Sequence, residues 1–308
     1  MSEELAIIVE DLNVNYGKLK AVDGISFQVQ AGTALALLGP NGAGKTTTIK
    51  ALTTVLDPTS GTVRVGGLDV TRHPIAVRAL IGLVPQETNL YEDVTVNDNL
   101  ALHGFLYGLD AATRQRRSQE LLELVGLSER ANDLVRHLSG GMKRRLVYAR
   151  GVMHDPQIVF LDEPTTGLDP QSRRAIWDYI AGLKQQGKTV VLTTHHMEEA
   201  EVLCELVLIV DQGRIIAQGS PVELRRNYVG DAYVELITPQ AEALAPIIGQ
   251  RRFELDNGKV RIYLDDLAQV PALVQALYQA GVQYSALSTR QTTLEDVFLK
   301  LTGRGLRE

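Results

Sequence analysis

The sequence predicts an α/β protein built on a parallel sheet that carries a phosphate-binding loop, followed by a small α+β module. Three observations carry that expectation. An apolar run, Ala34 to Leu38, breaks into the glycine loop GPNGAGKT and then into a helix-forming stretch, so strand, loop and helix follow one another. A second apolar run, Ile158 to Leu161, lacks polar alternation and ends on two adjacent carboxylates, the pattern of a strand covered on both faces. Beyond residue 232 the rhythm shortens and reads β-α-β-β-α-β, the order of a ferredoxin-like module.

Taken in order, residues 6–10 and 25–30 read as short strands, with Tyr16 and a Gly-Lys turn between them. A tyrosine at such a place either packs its ring or stacks it on a base, and spacing does not choose. Gly39, Gly44, Lys45 and Thr46 fit G-x-x-x-x-G-K-[ST]. The glycines let backbone N–H groups turn inward around a polyphosphate, and the helix expected from Lys45 to Leu52 adds its positive end. Lys45 is placed to reach the outer phosphates, and the Thr46 hydroxyl to take a position on Mg²⁺. Asp57, Pro58, Ser60 and Gly61 mark a turn before the strand-like TVRVGG. LIGLVP, residues 80–85, leads into Gln86, which is either a surface amide or a carbonyl ligand for Mg²⁺.

From Val94 to Ala149 the pattern turns helical. Leu100, Leu102, Phe105 and Leu106, then Leu121, Leu122, Leu124 and Val125, form stripes with charged residues opposite, and the run Arg114 to Arg117 reads as a solvated face. The 117 residues separating Lys45 from Asp162 leave room for an inserted helical subdomain. Within it, Ser139 suits an N-cap, and the N–H groups of Gly140 and Gly141 offer either a plain helix start or a second anion site. The strand Ile158 to Leu161 delivers Asp162 and Glu163 to its C-terminal end, where ligands bind in open α/β sheets. Asp162 is placed to hold Mg²⁺ through water, and Glu163 to polarise or orient an attacking water. Asp169 as N-cap and Pro170 at the first helical position start a helix with Ile176, Ile180 and Leu183 inward. Val190 to Leu192 is another buried strand, ending at His195 and His196, either of which is a phosphate contact or a solvated side chain. Leu206 to Val210 and RIIAQG are further strands, and SPVELRRNYVG closes this part. In the tail, AYVELIT, the hairpin RFELDNGKVRIYL turning at Asp256 to Gly258, and VQYSAL are expected strands. AEALAPIIG, VPALVQALYQAG and TTLEDVFLKLTG are expected helices.

Bulk properties bound the function classes. At 308 residues, with 44% apolar and 22% charged residues, the chain suits one large domain or a medium and a small one. A net charge of -6 argues against a nucleic-acid binder, the triplet Lys143, Arg144 and Arg145 being the one basic patch the sequence suggests. A single cysteine, Cys204, excludes an internal disulfide framework and fits a reducing compartment. The acidic start MSEELAIIVEDL lacks a cationic leader region, and no apolar run is long enough to span a bilayer. A cytoplasmic protein is expected, with any membrane role exercised through a partner.

Together these motifs resemble the ATPase subunits of ATP-binding cassette (ABC) transporters. Tyr16, GPNGAGKT at 39–46, Gln86, LSGGM at 138–142, VFLDEP at 159–164, GLD at 167–169 and His195 fall in the family's order over residues 5–225. The resemblance implies a P-loop NTPase of the ABC ATPase fold over 1–222, with a mixed sheet core, an antiparallel β subdomain and an inserted helical subdomain. Residues 223–308 would then form a ferredoxin-like accessory domain. It further implies that ATP is held by Tyr16, Gly39, Pro40, Asn41, Gly42, Ala43, Gly44, Lys45, Thr46 and Thr47. Mg²⁺ would lie at Thr46, Gln86 and Asp162, and Glu163, His195 and Gln86 would serve hydrolysis. Two copies would meet head to tail, so that Ser139, Gly140 and Gly141 of one close on the ATP of the other, and Asp169 would also bind the nucleotide. Met142 departs from the family's usual glutamine, a change common in exporter-like subunits that leaves the phosphate contact intact. TTHHMEEAE and the TLEDVFLKLTG ending look most like bacterial drug, polysaccharide and lipooligosaccharide exporters. The partner would be a separate integral membrane permease, placing the chain on the cytoplasmic face of the inner membrane, with no nucleic acid expected. The alternative is a soluble cassette ATPase acting in translation or DNA maintenance.

Overall fold

The computed structural model describes residues 4–239, 244–249, 251–256 and 258–303. The chain separates into two compact units, Met1–Ile216 and Ala217–Glu308.

The first unit opens with β1 (Leu5–Tyr16) and β2 (Leu19–Gln30), an antiparallel pair of twelve residues each, longer than the short strands expected. Buried and exposed positions alternate along β2 from Ile25 to Gln30, as one solvated face requires, whereas in β1 the alternation changes phase at an irregularity between Val9 and Leu12. Next come β3 (Ala34–Leu38), α1 (Lys45–Leu52), β4 (Ser60–Val65), β5 (Leu68–Asp69), α2 (Pro74–Leu80) and β6 (Ile81–Val84). The helical insertion holds α3 (Val96–Leu106), α4 (Ala111–Leu124) and α5 (Gly140–Gly151). The unit then runs through β7 (Ile158–Asp162), α6 (Pro170–Gln185), β8 (Thr189–Thr194), α7 (Met197–Leu203), β9 (Leu206–Asp211) and β10 (Arg214–Gly219).

Two sheets result. One has the order β2-β1-β4-β5, the other β10-β9-β3-β8-β7-β6. In the second, β3 lies parallel to β8 and β9, and β7 parallel to β6 and β8. Every residue of β3, β7 and β8 is buried, the signature of strands covered on both faces. Leu35, Leu37, Phe160 and Val191 share one core with Ile7, Val9, Val29 and Val63 of the antiparallel sheet and with Ile49 and Leu52 of α1. Cys204, which follows α7, is buried.

The second unit contains α8 (Pro221–Tyr228), started by a capping box between Ser220 and Glu223, and then β11 (Ala232–Ile237), α9 (Ala245–Ile248), β12 (Phe253–Asp256), β13 (Lys259–Leu264), α10 (Val270–Gln279), β14 (Ala286–Gln291) and α11 (Leu294–Thr302). Its sheet order, β12-β13-β11-β14 with antiparallel pairing throughout, is the split arrangement expected of a ferredoxin-like module.

Four expectations need correction. The last strand is not VQYSAL but Ala286–Gln291; five of its six residues are exposed, so this edge strand carries no apolar run to betray it. On α3 only Leu100 of the expected stripe is buried, while Leu102, Phe105 and Leu106 are exposed and Val96, Asn99 and Gly104 face inward. Of the arginine run, Arg114 and Arg117 are half-buried and donate to the carbonyls of Leu109 and Val152, leaving Arg116 in solvent. The triplet 143–145 is no open basic patch: Lys143 pairs with Glu92 at 2.5 Å, Arg145 donates to the Val125 carbonyl, and Arg144 is buried. The expected helix AEALAPIIG is present as α9, its first three residues, Ala241 to Ala243, and Asn257 of the expected hairpin turn lying outside the described residues.

Candidate functional site

The parallel strands are in register so that their C-terminal ends share one level. Leu38 pairs with Thr194, Thr193 with Asp162, and Leu161 with Val84. The residues that follow, Gly39, Glu163, His195 and Gln86, therefore emerge along one edge. Here a cavity of about 560 Å³ is lined by Tyr16, Leu19, Lys20, Ala21, the loop from Asn41 to Thr47, Gln86, Glu163, Thr166, His195, Gln212 and Gly213. Tyr16, half exposed at the end of β1, forms one wall, so the ring is available to a flat ligand rather than packed in the core. Ser139, Gly140, Gly141 and Asp169 are not among the lining residues. Ser139 caps α5 by accepting from Met142 N–H, and Asp169 caps α6 by accepting from Gln171 and Ser172 N–H; both are exposed.

The loop glycines have two distinct reasons. At Gly39 a Cβ would lie 2.1 Å from the Val210 carbonyl oxygen on β9, so only a bare backbone passes. Gly44 takes φ 101°, a left-handed value that strains other residues, and a Cβ there would meet the Ala21 carbonyl oxygen at 2.4 Å. With Gly44 as its N-cap, α1 presents its first N–H groups toward the cavity, a ready anion cradle.

Lys45 is buried beneath that cradle. Its ammonium donates to the carbonyls of Gly39 at 2.7 Å and Pro40 at 3.0 Å and stands 3.3 Å from Glu163 Oε1. Burial pushes its pKa down, opposed by the charges of Glu163 and Asp162. Glu163 divides its oxygens: Oε1 faces Lys45, while Oε2 lies 2.6 Å from His195 Nδ1 and accepts from Thr166 Oγ1 at 2.8 Å. Burial alone would raise the Glu163 pKa, but the hydrogen bonds from His195 and Thr166 and the charge of Lys45 outweigh it and hold the carboxyl at about 2. The Glu163 backbone has φ 48°, left-handed for a non-glycine residue, and its N–H is tied to Thr193 Oγ1 at 2.9 Å. That same hydroxyl donates to Asp162 Oδ1 at 2.5 Å, and Asp162 Oδ1 also accepts from Thr46 Oγ1 at 3.0 Å.

A strand-loop-helix phosphate cradle with a buried lysine, faced by a carboxylate and a histidine on the adjoining strand ends, matches what known proteins carry. The sequence fits the model of the ABC transporter family over residues 22–166, and that of the C-terminal domain of DrrA1-3-like ATP-binding proteins over 219–302. It is 42% identical over 306 residues to the Nod factor export ATP-binding protein I of Ralstonia nicotianae, covering 97% of this chain and 94% of that protein. The chain belongs to the ABC transporter family. It is an ATP-binding subunit with the family's ATPase fold and activity. The daunorubicin resistance ATP-binding protein DrrA3 of Streptomyces coeruleorubidus is 40% identical over 307 residues, 97% of this chain and 96% of that one. Among solved structures, the ATP-binding subunit of an ABC transporter superposes with TM-score 0.67 at 31% identity, over 72% of this chain and 93% of the other. A dimeric ATP-binding cassette in a post-hydrolysis state with ADP and phosphate gives TM-score 0.64 at 25% identity, over 70% and 98% of the two chains.

Thus the structure brings together Tyr16, the loop from Asn41 to Thr47, Gln86, Glu163 and His195, with Asp162 held against Thr46 beside them. Sequence reasoning passed over Thr166 and Thr193. Their signal was a polar residue at the ligand-facing end of a buried strand, as in VVLTT, or just beyond it, as in EPTT.

Proposed function

We propose that this ABC subunit hydrolyses MgATP between two copies of itself arranged head to tail, and that the cycle drives export through a separate membrane permease. One observation carries the reading: a single cavity gathers the phosphate loop, Tyr16, Gln86, Glu163 and His195, while the helix start at Ser139–Gly141, exposed at Ser139 and Gly140, lies outside it. A second copy supplies that helix start to the open side of the cavity. The names of the relatives, Nod factor export and daunorubicin resistance, support export as the direction. Among the described residues no helix is long and apolar enough to cross a membrane, which is consistent with a peripheral subunit on the cytoplasmic face of a permease. We assign residues 223–308 to an accessory domain; the compact units part at 216 and 217, a few residues earlier.

The residues present fit a hard divalent cation. The Thr46 hydroxyl and the Asp162 carboxylate are adjacent oxygen donors, Gln86 faces the same cavity, and phosphate oxygens would complete the set. Such an ion neutralises charge that develops on the phosphates. Lys45 would turn from Glu163 to the β- and γ-phosphates. That exchange releases Glu163 Oε1 to accept a hydrogen bond from water and lets its pKa climb from about 2 toward a useful base. Water oxygen attacks the γ-phosphorus, the bond to the β–γ bridging oxygen breaks, ADP leaves, and the proton from water passes to Glu163 or onward to phosphate. His195 holds Glu163 in place and contacts the transferring group.

Glu163→Gln should bind ATP and accumulate as an ATP-dependent dimer in light scattering while losing about 10²- to 10⁴-fold in turnover. Wild-type turnover in that variant would remove the assignment.

A further inference from the structure

We infer that Arg144 is a positioning residue for ATP hydrolysis, holding the Gln86 loop and the Glu163 loop in fixed relation from the helix that starts at Ser139. The inference rests on the reading of Gln86 and Glu163 as working residues of the site.

Arg144 is 6% exposed, on the second turn of α5. Its guanidinium reaches two loops at once. Nη1 donates to the carbonyls of Pro85 at 2.6 Å and Gln86 at 2.9 Å, both in the segment that follows β6. Nη2 lies 3.5 Å from the carbonyl oxygens of Asp162 and Glu163, and Nε 3.4 Å from that of Pro164, all at the end of β7. The short contacts thus fix the Gln86 loop, and the longer ones set a positive charge against the backbone oxygens of the carboxylate loop. Tyr148, one turn further along α5, completes the clamp. Its ring lies 5.2 Å beneath the guanidinium, and its hydroxyl donates to the Pro164 carbonyl at 2.6 Å.

The need for such a clamp lies in the backbone it holds. Glu163 sits at φ 48°, a conformation that persists only where its surroundings fix it. Gln86 follows a strand of four residues and does not belong to the buried core, so its own packing does little to place it. A fork of planar donors spans two loops where the single ammonium of a lysine cannot. Because Ser139 caps the same helix that carries Arg144, a movement of that helix start would reach the Gln86 and Glu163 loops through the guanidinium. The bonds of Arg144 go to backbone carbonyls outside the loop from Gly39 to Thr47, so it should affect turnover and leave ATP affinity alone.

The test uses the full chain with Arg144→Met and Arg144→Lys, reading kcat, KM, MgATP affinity by a fluorescent analogue, and Tm. Loss of loop placement should lower kcat about 100-fold in Arg144→Met. Affinity and KM should stay within about threefold, and Arg144→Lys should recover part of the rate. Should Arg144→Met fail to fold, Arg144→Lys decides: reduced kcat at wild-type affinity and Tm supports the inference, and wild-type kcat overturns it. A kcat loss matched by equal loss of ATP affinity also overturns it. Glu163→Gln run alongside separates the two readings. If it turns over normally the functional reading fails; if it is inactive while both Arg144 variants run at full rate, only the positioning role fails.

Discussion

Replacing Thr193 by valine probes the joint that holds both carboxylates. The side chain is fully buried, and valine matches its shape while deleting one hydroxyl. That hydroxyl makes two bonds, donating to Asp162 Oδ1 at 2.5 Å and accepting from Glu163 N–H at 2.9 Å. A hydrogen bond to a charged acceptor contributes about 1.5–3 kcal/mol, and an orphaned buried donor costs about 1–3 kcal/mol. The two overlap, because Asp162 keeps its bond from Thr46, so a net loss of about 3 kcal/mol is expected. For a unit the size of Met1–Ile216 that corresponds to a fall in Tm of about 6–12 °C. Turnover should fall further than stability alone explains, because the left-handed Glu163 backbone loses its anchor. Thermal denaturation and ATPase rates on Thr193→Val and Thr193→Ser would check this, with serine expected to retain most of both. A valine variant that melts within about 1 °C of wild type and hydrolyses at full rate would refute the reasoning.

Three further outcomes follow from the same geometry. Because Glu163 is held at about 2, below its ordinary 4.5, its stabilising contribution is complete above that ordinary value and is withdrawn as the pH falls toward 2. Between about pH 6 and about pH 2 the wild type should lose about 3 kcal/mol more than Glu163→Gln in chemical denaturation; equal losses would contradict the shift. Gly44→Ala should abolish nucleotide binding and lower Tm, since the new Cβ meets the Ala21 oxygen at 2.4 Å in a left-handed backbone; calorimetric titration with ATP would show it. Tyr16→Ala should weaken ATP binding by about 1–3 kcal/mol with kcat preserved at saturation, whereas an unchanged affinity would mean that the ring does not stack on the base.

The fold and most of the cavity were legible because their signals are local. A phosphate loop must be glycine-rich where any side chain would run into a neighbouring backbone, as at Gly39 against the Val210 carbonyl, and strands buried on both faces cannot alternate. The helix starts at Ser139 and Asp169 were equally readable, because each cap is a hydrogen bond of short range along the chain. What escaped depends on contacts distant in sequence. Arg144 looked like part of a basic surface, and only the meeting of α5 with the ends of β6 and β7, 58 and 18 residues away, buries it. Thr193 reaches across 31 residues to Asp162. The edge strand Ala286–Gln291 is nearly all exposed, so no apolar pattern marks it, and β11 alone gives it its register.

Cys204 has a practical consequence. It is the sole cysteine, it is buried, and burial lifts its thiol well above the ordinary range, so the native chain presents no thiolate to alkylating reagents at neutral pH. Reporter groups introduced through a cysteine at an exposed position outside the cavity, such as Ser128, would therefore label cleanly on an otherwise unaltered protein. Spin-label distances between two such copies, with and without nucleotide, would read the approach of protomers directly.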